Sequence, residues 1–364
     1  MGSPGTTTRA AVVVVERAGQ ERNHLHALTD PEATGCYAPR VPTLVLDPTR
    51  PNPRVIAAAA AAILAGELVA FPTETVYGLG AAALNPRAVA KIFAAKGRPS
   101  YNPLIAHVLG VAQARALVSD WPPLAEALAA QFWPGPLTLV LPKRAIVPDL
   151  VTAGLQTVAV RAPAHPIARA LLEAAGVPIA APSANRFQGI SPTTAAHVER
   201  SLGPDAALIL DGGPTTVGIE STVIALGERP TLLRLGGLPA AAIEQLTGPL
   251  ARPAPAEQGV ARASPGLDSR HYAPRGELRI HPRAELVAAI PGPGPVGTIS
   301  FEPAPAGVDH ALLLPADPAG YARLLFAALH TLDELGCQRI LVEALPHDPA
   351  WAAVADRLER AAAD

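Results

Sequence analysis

The chain has 364 residues, 49% hydrophobic and only 16% charged side chains, and a formal net charge of −2. That length suits two folded domains, and that hydrophobic share excludes wholesale disorder. Near-neutrality excludes a global field drawing the chain onto nucleic acid or an anionic membrane, so any anion must be held by a local cluster of Arg, Lys and backbone N–H groups.

Two cysteines, Cys36 and Cys337, lack C-x-x-C spacing. They exclude a disulfide framework or a four-ligand zinc knuckle and suit a reducing cytoplasm. With 30 Gly and 41 Pro, these two types make up about a fifth of the chain. That exceeds the usual share of about 12% and stays below that of a low-complexity polymer.

Residues 1–42 show no sustained period and read as a poorly ordered extension. Met1–Thr6 fits a loose myristoylation pattern, but a flexible extension or a mis-assigned start explains it as well. The apolar run Ala11–Val15 is cut off by Glu16 and Arg17, which argues against a signal peptide. The Ala-rich run Val55–Gly66 stops at Glu67, too short for a bilayer.

From 43 to 248 strand-like runs alternate with helix-like runs. Leu68–Phe71, Leu104–Val108, Leu137–Leu141, Thr157–Arg161, Ile179–Ala181, Ala207–Leu210, Thr222–Ala225 and Thr231–Arg234 read as short buried strands. Asn85-Pro86 reads as the N-cap and first residue of a helix reaching Lys96, with Gly97 as its stop. Thr193 or Thr194 opens another helix that Gly203 ends. Residues 249–276, with Pro249, Pro253, Pro255, Pro265 and Pro274, read as an interdomain linker. Residues 277–364 resume the alternation, with strands at Leu278–Ile280, Val296–Phe301, Ala311–Leu314 and Ile340–Val342. Asp317–Leu335 carries Tyr321, Leu324, Leu325, Ala328, Leu332 and Leu335 on one helical face, and Asp348–Ala363 closes the chain as a helix. This predicts an α/β protein with a smaller doubly wound unit at its C-terminus. Gly292–Gly297 matches G-x-G-x-x-G as text, but it precedes a strand and two of its residues are prolines, so it reads as a turn.

Several segments carry chemistry. FPTETVYGLG (71–80) leaves a strand into a loop holding Thr73, Glu74, Thr75 and two glycines, a place where open sheets bind ligands. In KGRPSYNPLIAH (96–107), Lys96 and Arg98 on a stiff loop suit a polyphosphate, one as a point charge and one as a planar fork. They also suit the helix dipole. A lone histidine in a strand, such as His107, reads first as a core residue. WPGPLT (133–138) is an aromatic–proline corner. Arg161 ends the strand TVAVR and offers a bidentate site for a carboxylate. PIAAPSAN (178–185), with Ser191 beyond it, offers small residues and the hydroxyls of Ser183 and Ser191. GIESTV (218–223) and LLRLG (232–236) follow, the latter ending a strand at Arg234.

Taken in order and with this spacing, these segments resemble the YrdC-like domain of threonylcarbamoyl-AMP synthases. Ser264–Pro274 is similar to the linker of that family's two-domain form, in which a small Rossmann-like domain follows. It departs from the family pattern at Leu267 and at Asp268–Ser269. The resemblance implies a YrdC-like twisted-sheet catalytic domain plus a smaller Rossmann-like C-terminal domain. It further implies a cytoplasmic nucleotidyltransferase that joins L-threonine, bicarbonate or CO₂, and ATP, the last with Mg²⁺ and no tightly bound prosthetic group. The product would feed N6-threonylcarbamoyladenosine formation on tRNA by a separate transferase. By the same resemblance Thr75, His107, Arg161, Ala181 and Ser221 would contact threonine. Arg98, Asn102, Thr157, Ser183, Ser191, Arg234 and Tyr272 would contact ATP, and Lys96 and Arg98 would act on the phosphates. Tyr272 would fold over the nucleotide as a lid. Two alternatives stay open. One is a carbamoyl-adenylate former using carbamoyl phosphate. The other is an RNA-binding module using Lys96, Arg98, Arg161, Arg186 and Arg234, although the charge of −2 and the absence of an aromatic-interleaved basic stretch argue against it, as they argue against strong direct nucleic-acid binding.

Overall fold

The computed structural model describes residues 13–16, 41–252 and 270–363. The myristoylation-like pattern and most of the linker motif lie outside the described residues. In chain order the strands are β1 (Val13–Glu16), β2 (Thr43–Val45), β3 (Val69–Pro72), β4 (Tyr77–Ala82), β5 (Ile105–His107), β6 (Leu137–Pro142), β7 (Thr157–Arg161), β8 (Ile179–Ala180), β9 (Leu208–Asp211), β10 (Thr222–Leu226), β11 (Pro230–Arg234), β12 (Glu277–His281), β13 (Val296–Ser300), β14 (His310–Leu313) and β15 (Arg339–Glu343).

A ten-stranded mixed sheet runs β11-β10-β6-β7-β5-β8-β4-β3-β9-β2. Side chains alternate across it. Val69, Phe71, Leu208 and Leu210 face a cluster with the helices Pro53–Leu64 and Pro166–Ala175. Ala70, Leu79, Ala81 and Ile209 face the opposite cluster, which holds the helices Pro86–Lys96, Val111–Leu117 and Pro123–Phe132.

The cap chemistry read from the sequence is present. Asn85 Oδ1 accepts from the backbone N–H groups of Arg87 at 3.1 Å and Ala88 at 3.2 Å, and Gly97 closes the helix at φ 62°. Of the two candidate threonines, Thr194 caps Ala195–Leu202.

One segment differs from expectation. FPTETVYGLG is a hairpin rather than a strand entering a long loop. Tyr77–Ala82 returns antiparallel to β3 as β4. Its glycines and lack of alternation hide the strand, because both faces are buried. Gly80 has no room for a side chain, since a Cβ there would lie 2.7 Å from the Phe71 ring and 2.9 Å from an Ile179 methyl.

A five-stranded sheet, β1-β14-β13-β15-β12, forms the C-terminal unit, and β14, β13, β15 and β12 are parallel. Ile299, Ile340 and Val342 face the helices Pro318–Glu334 and Ala352–Ala362, while Val296 and Leu341 face Leu286 on the other side, a doubly wound arrangement. Residues 13–16, read from sequence as part of a disordered extension, pair antiparallel with β14 at the sheet's edge.

The C-terminal unit packs directly on the larger sheet domain. Gly218, at φ +83°, lies against the helix Pro318–Glu334 so closely that a Cβ there would stand 2.4 Å from Arg323 Cα. His330 Nε2 lies 3.2 Å from the Ser191 carbonyl, and the rings of His197 and His330 stack at 3.8 Å.

Candidate active site

The β3–β4 turn, the C-terminal ends of β5 and β7, the loop after β8 and the start of β10 surround a cavity of about 50 Å³. Parallel pairing of β5 with β7 sets His107 beside Arg161. Arg161 does not stand open at a rim. Its Nη2 lies 2.6 Å from Glu74 Oε1, Nη1 donates to Thr75 Oγ1 at 3.0 Å, and Nε donates to the Gly135 carbonyl at 3.2 Å. Glu74 Oε2 accepts from Ala164 N–H at 3.0 Å. Burial pushes the Glu74 carboxyl up, but the charge and hydrogen bonds of Arg161 outweigh it and hold the group below its usual range. A guanidinium has five donors, so these bonds leave one N–H on each of Nη1 and Nη2 for a ligand. His107 is pushed down to about 3 by burial and by Arg161, and is therefore neutral near pH 7. Its Nδ1 is buried without a partner, unlike a satisfied core histidine.

A second group comes from the helix Pro86–Lys96 and its exit loop. Arg98 Nη2 donates to Asn102 Oδ1 at 2.6 Å and to the Pro103 carbonyl at 2.9 Å, and Nε to the Asn102 carbonyl at 3.1 Å. Asn102 thus orients Arg98. Lys96 Nζ donates to the carbonyls of Ser183, at 2.6 Å, and Asn185, tying the β8 loop down. Burial first and Arg98 second drive its pKa well below the ordinary lysine value.

A third group faces them from β10 and β11. Arg234 Nη2 donates to the Ser221 carbonyl at 2.9 Å and to its Oγ at 3.1 Å, and Ser221 Oγ lies 2.8 Å from Thr138 Oγ1. Glu220 Oε1 accepts from Ser191 Oγ at 2.6 Å. From the segment before β12, His271 and Tyr272 also line the cavity, with Tyr272 at φ 62° and its hydroxyl buried without a partner.

Of the residues expected at the site, Thr75, Arg98, His107, Arg161, Ala181, Ser183, Ser221, Arg234 and Tyr272 line this cavity together. Lys96, Asn102 and Ser191 stand just behind it, each bonded to the wall. Thr157 does not join them. It begins β7 while Arg161 ends it, and four strand residues span about 13 Å. The sequence reading passed over Glu74, Glu220 and His271 as site residues, although the first two sit inside FPTETVYG and GIESTV. It gave no sign of Arg357, which reaches Glu220 from the last helix.

Residues 61–236 match a family model described as "Telomere recombination", and residues 238–363 match "Threonylcarbamoyl-AMP synthase, C-terminal domain". The chain is 47% identical over 319 residues to a threonylcarbamoyl-AMP synthase of Pyrococcus abyssi, covering 83% of this chain and 92% of that one. It is 42% identical to that of Bacillus subtilis, covering 87% of this chain and 96% of that one. A crystal structure of P. abyssi Sua5 complexed with L-threonine superposes with a TM-score of 0.82 at 41% identity, covering 88% of this chain and 97% of that one. The two-domain architecture, the matched family models and these relatives together place the chain in the threonylcarbamoyl-AMP synthase family.

Proposed function

We propose that this chain joins L-threonine, bicarbonate or CO₂, and ATP into L-threonylcarbamoyladenylate, releasing pyrophosphate. The observation that carries this is the cavity's polarity. The β5–β7 pairing and a hydrogen bond gather Arg161, His107 and Thr75, and the guanidinium groups of Arg98 and Arg234 line the same cavity. The first group suits an amino acid. The remaining N–H groups of Arg161 take the carboxylate, and neutral His107, which lines the cavity, offers a ring nitrogen to the side-chain hydroxyl. The threonine amine must be neutral to attack CO₂, and a bare carboxylate beside it would hold its proton. Glu74 and Glu220 are each tied to a buried arginine instead.

The carbamate formed then attacks the α-phosphorus through oxygen. One O–P bond forms, the α–β bridging bond breaks, and pyrophosphate leaves with its electron pair. This step needs alignment and charge neutralisation rather than an acid or base. Arg98 and Arg234 supply the charge, and Lys96 fixes the loop carrying Ser183. Among the described residues no open carboxylate faces the cavity, so Mg²⁺ would fit as an ion carried by the triphosphate. Bound there, it adds positive charge to the phosphates. Tyr272 and His271 exclude water from a hydrolysable acyl phosphate. Thr157 contacts ATP in this reading only if the nucleotide extends along β7. The product suits a separate transferase that modifies tRNA. Among the described residues no helix is long and apolar enough to cross a membrane.

The test is pyrophosphate release from ATP, Mg²⁺ and bicarbonate with each amino acid in turn, and with carbamoyl phosphate. Release that requires L-threonine and is lost in Arg161→Ala supports the reading. Release without threonine, or with carbamoyl phosphate alone, overturns it. RNA binding that survives saturating ATP and threonine would favour the RNA-binding alternative.

A further inference from the structure

The reactions above leave the helix Ala352–Ala362 without a task, yet one of its side chains reaches the site. Arg357 is 1% exposed. Its Nε lies 3.1 Å from Glu220 Oε2 and its Nη1 2.9 Å from Asp356 Oδ2. Its guanidinium carbon stands 5.5 Å from the centre of the Tyr272 ring, within cation–π range. Its Nη2 and the Tyr272 hydroxyl are both buried without a partner. Glu220 meanwhile lines the cavity and holds Ser191 Oγ by its other oxygen. Arg357 thus touches a carboxylate of the cavity wall and the aromatic cap of the cavity, and it does so from the second domain.

A buried carboxylate beside a triphosphate site repels the ligand unless its charge is cancelled, and the cancelling group must itself be buried to act at short range. We propose that Arg357 is a positioning residue for the nucleotide: it cancels the charge that Glu220 would otherwise present to the phosphates and seats the Tyr272 ring. The second domain is then part of the nucleotide site. This rests on the reading of the cavity as an ATP site. The electrostatics agree. Burial would raise the Glu220 carboxyl, but Arg357, then Arg234, then the Ser191 hydrogen bond hold it below its usual value. Without Arg357, Arg234 would be drawn further into balancing Glu220.

The experiment titrates full-length wild type, R357Q, R357K, E220Q and the double variant E220Q/R357M with the β,γ-imido analogue of ATP plus Mg²⁺, and separately with L-threonine, by calorimetry. R357Q is expected to weaken nucleotide binding by about tenfold or more, with a much smaller effect on threonine. R357K keeps the charge and is expected to lose less. E220Q, which removes the negative charge, is expected to bind nucleotide at least as tightly as wild type, and the double variant to regain most of what R357Q loses. A purely structural arginine would weaken nucleotide and threonine binding together, because the fold itself would be at fault. Wild-type-like nucleotide binding by R357Q, no recovery in the double variant, or weakened binding by E220Q overturns the inference. The double variant, which leaves neither charge buried and unpaired, decides it even if a single variant does not fold. Wild-type protein that binds no nucleotide overturns the functional reading and this inference together, whereas binding by wild type with R357Q unaffected overturns the inference alone.

Discussion

Arg161 Nη2 and Glu74 Oε1 stand 2.6 Å apart with both side chains buried. The pair makes the proposed amino-acid side of the cavity from two charges that cancel each other, so the arginine can orient a carboxylate without a strong net field at the amine. Removing one partner leaves the other charged and buried, which costs about 3–5 kcal/mol. Arg161→Ala is therefore expected to lose threonine-dependent pyrophosphate release and to lower stability by that order. Urea unfolding and the pyrophosphate assay check it. A variant as stable as wild type would mean that Glu74 takes up a proton or finds water.

Tyr272 separates packing from chemistry. Its ring packs 5.3 Å from Phe326 and 4.0 Å from His271, but its hydroxyl has no partner. Tyr272→Phe keeps the ring and removes an unsatisfied buried group, so stability is expected to stay level or rise slightly. Nucleotide affinity is expected to fall if the hydroxyl meets ATP. Thermal unfolding beside a nucleotide titration reads both. Unchanged affinity would limit Tyr272 to its role as a cover.

Gly218 meets the second domain where no Cβ fits. Gly218→Ala combines a left-handed backbone angle with a clash against helix backbone, and about 1–3 kcal/mol of strain is expected. The interface gives way before either core, so proteolysis should release a C-terminal fragment sooner than in wild type. Equal protection of both proteins would show that the helix Pro318–Glu334 can shift to make room.

The stacked pair His197 and His330 crosses the same interface. Burial, the neighbouring histidine and Arg200 push His197 down to about 2. Burial, with Arg200, takes His330 to about 4 against the opposing Ser191 carbonyl and Asp333. Folded pKa values below the unfolded value of about 6.5 mean that the unfolded chain binds protons first. The stability these neutral histidines contribute is complete above pH ~6.5 and falls as pH drops toward 4. Below that, Glu74 and Glu220, whose pKa values are also lowered, add a further loss. Denaturant midpoints measured from pH 7 to 4 should decline, and His330→Gln should flatten the decline. Parallel curves for the two proteins would exclude this pair as its source.

Lys96 tests how the nucleotide loop is held. Lys96→Met fills much of the same space but leaves the Ser183 and Asn185 carbonyls without their donor. A loss of about 1–3 kcal/mol is expected from the unsatisfied groups, together with weaker nucleotide binding, read by calorimetry and by unfolding.

Local features were legible in the chain before any tertiary information. Asn85 and Gly97 announce helix ends, because a cap needs only a few neighbouring residues. The strands ending in Arg161 and Arg234 follow from short apolar runs, and the site segments from their order and the family they resemble. β4 was not legible, because glycines placed there for close packing carry no strand pattern. Nor was the engagement of Arg161 by Glu74, since no spacing rule states which buried charge meets which across 87 residues. Sequence by itself thus determined the fold class, the two α/β units and nine of the eighteen residues that line the cavity. Tertiary structure alone decided that Glu74 and Glu220 are paired with buried arginines, that Lys96 and Asn102 lie behind the cavity wall, and that Arg357 reaches Glu220 from the last helix. Those are long-range electrostatic pairings in a buried space, set by how sheets and domains pack and not by the periodicity of any one segment.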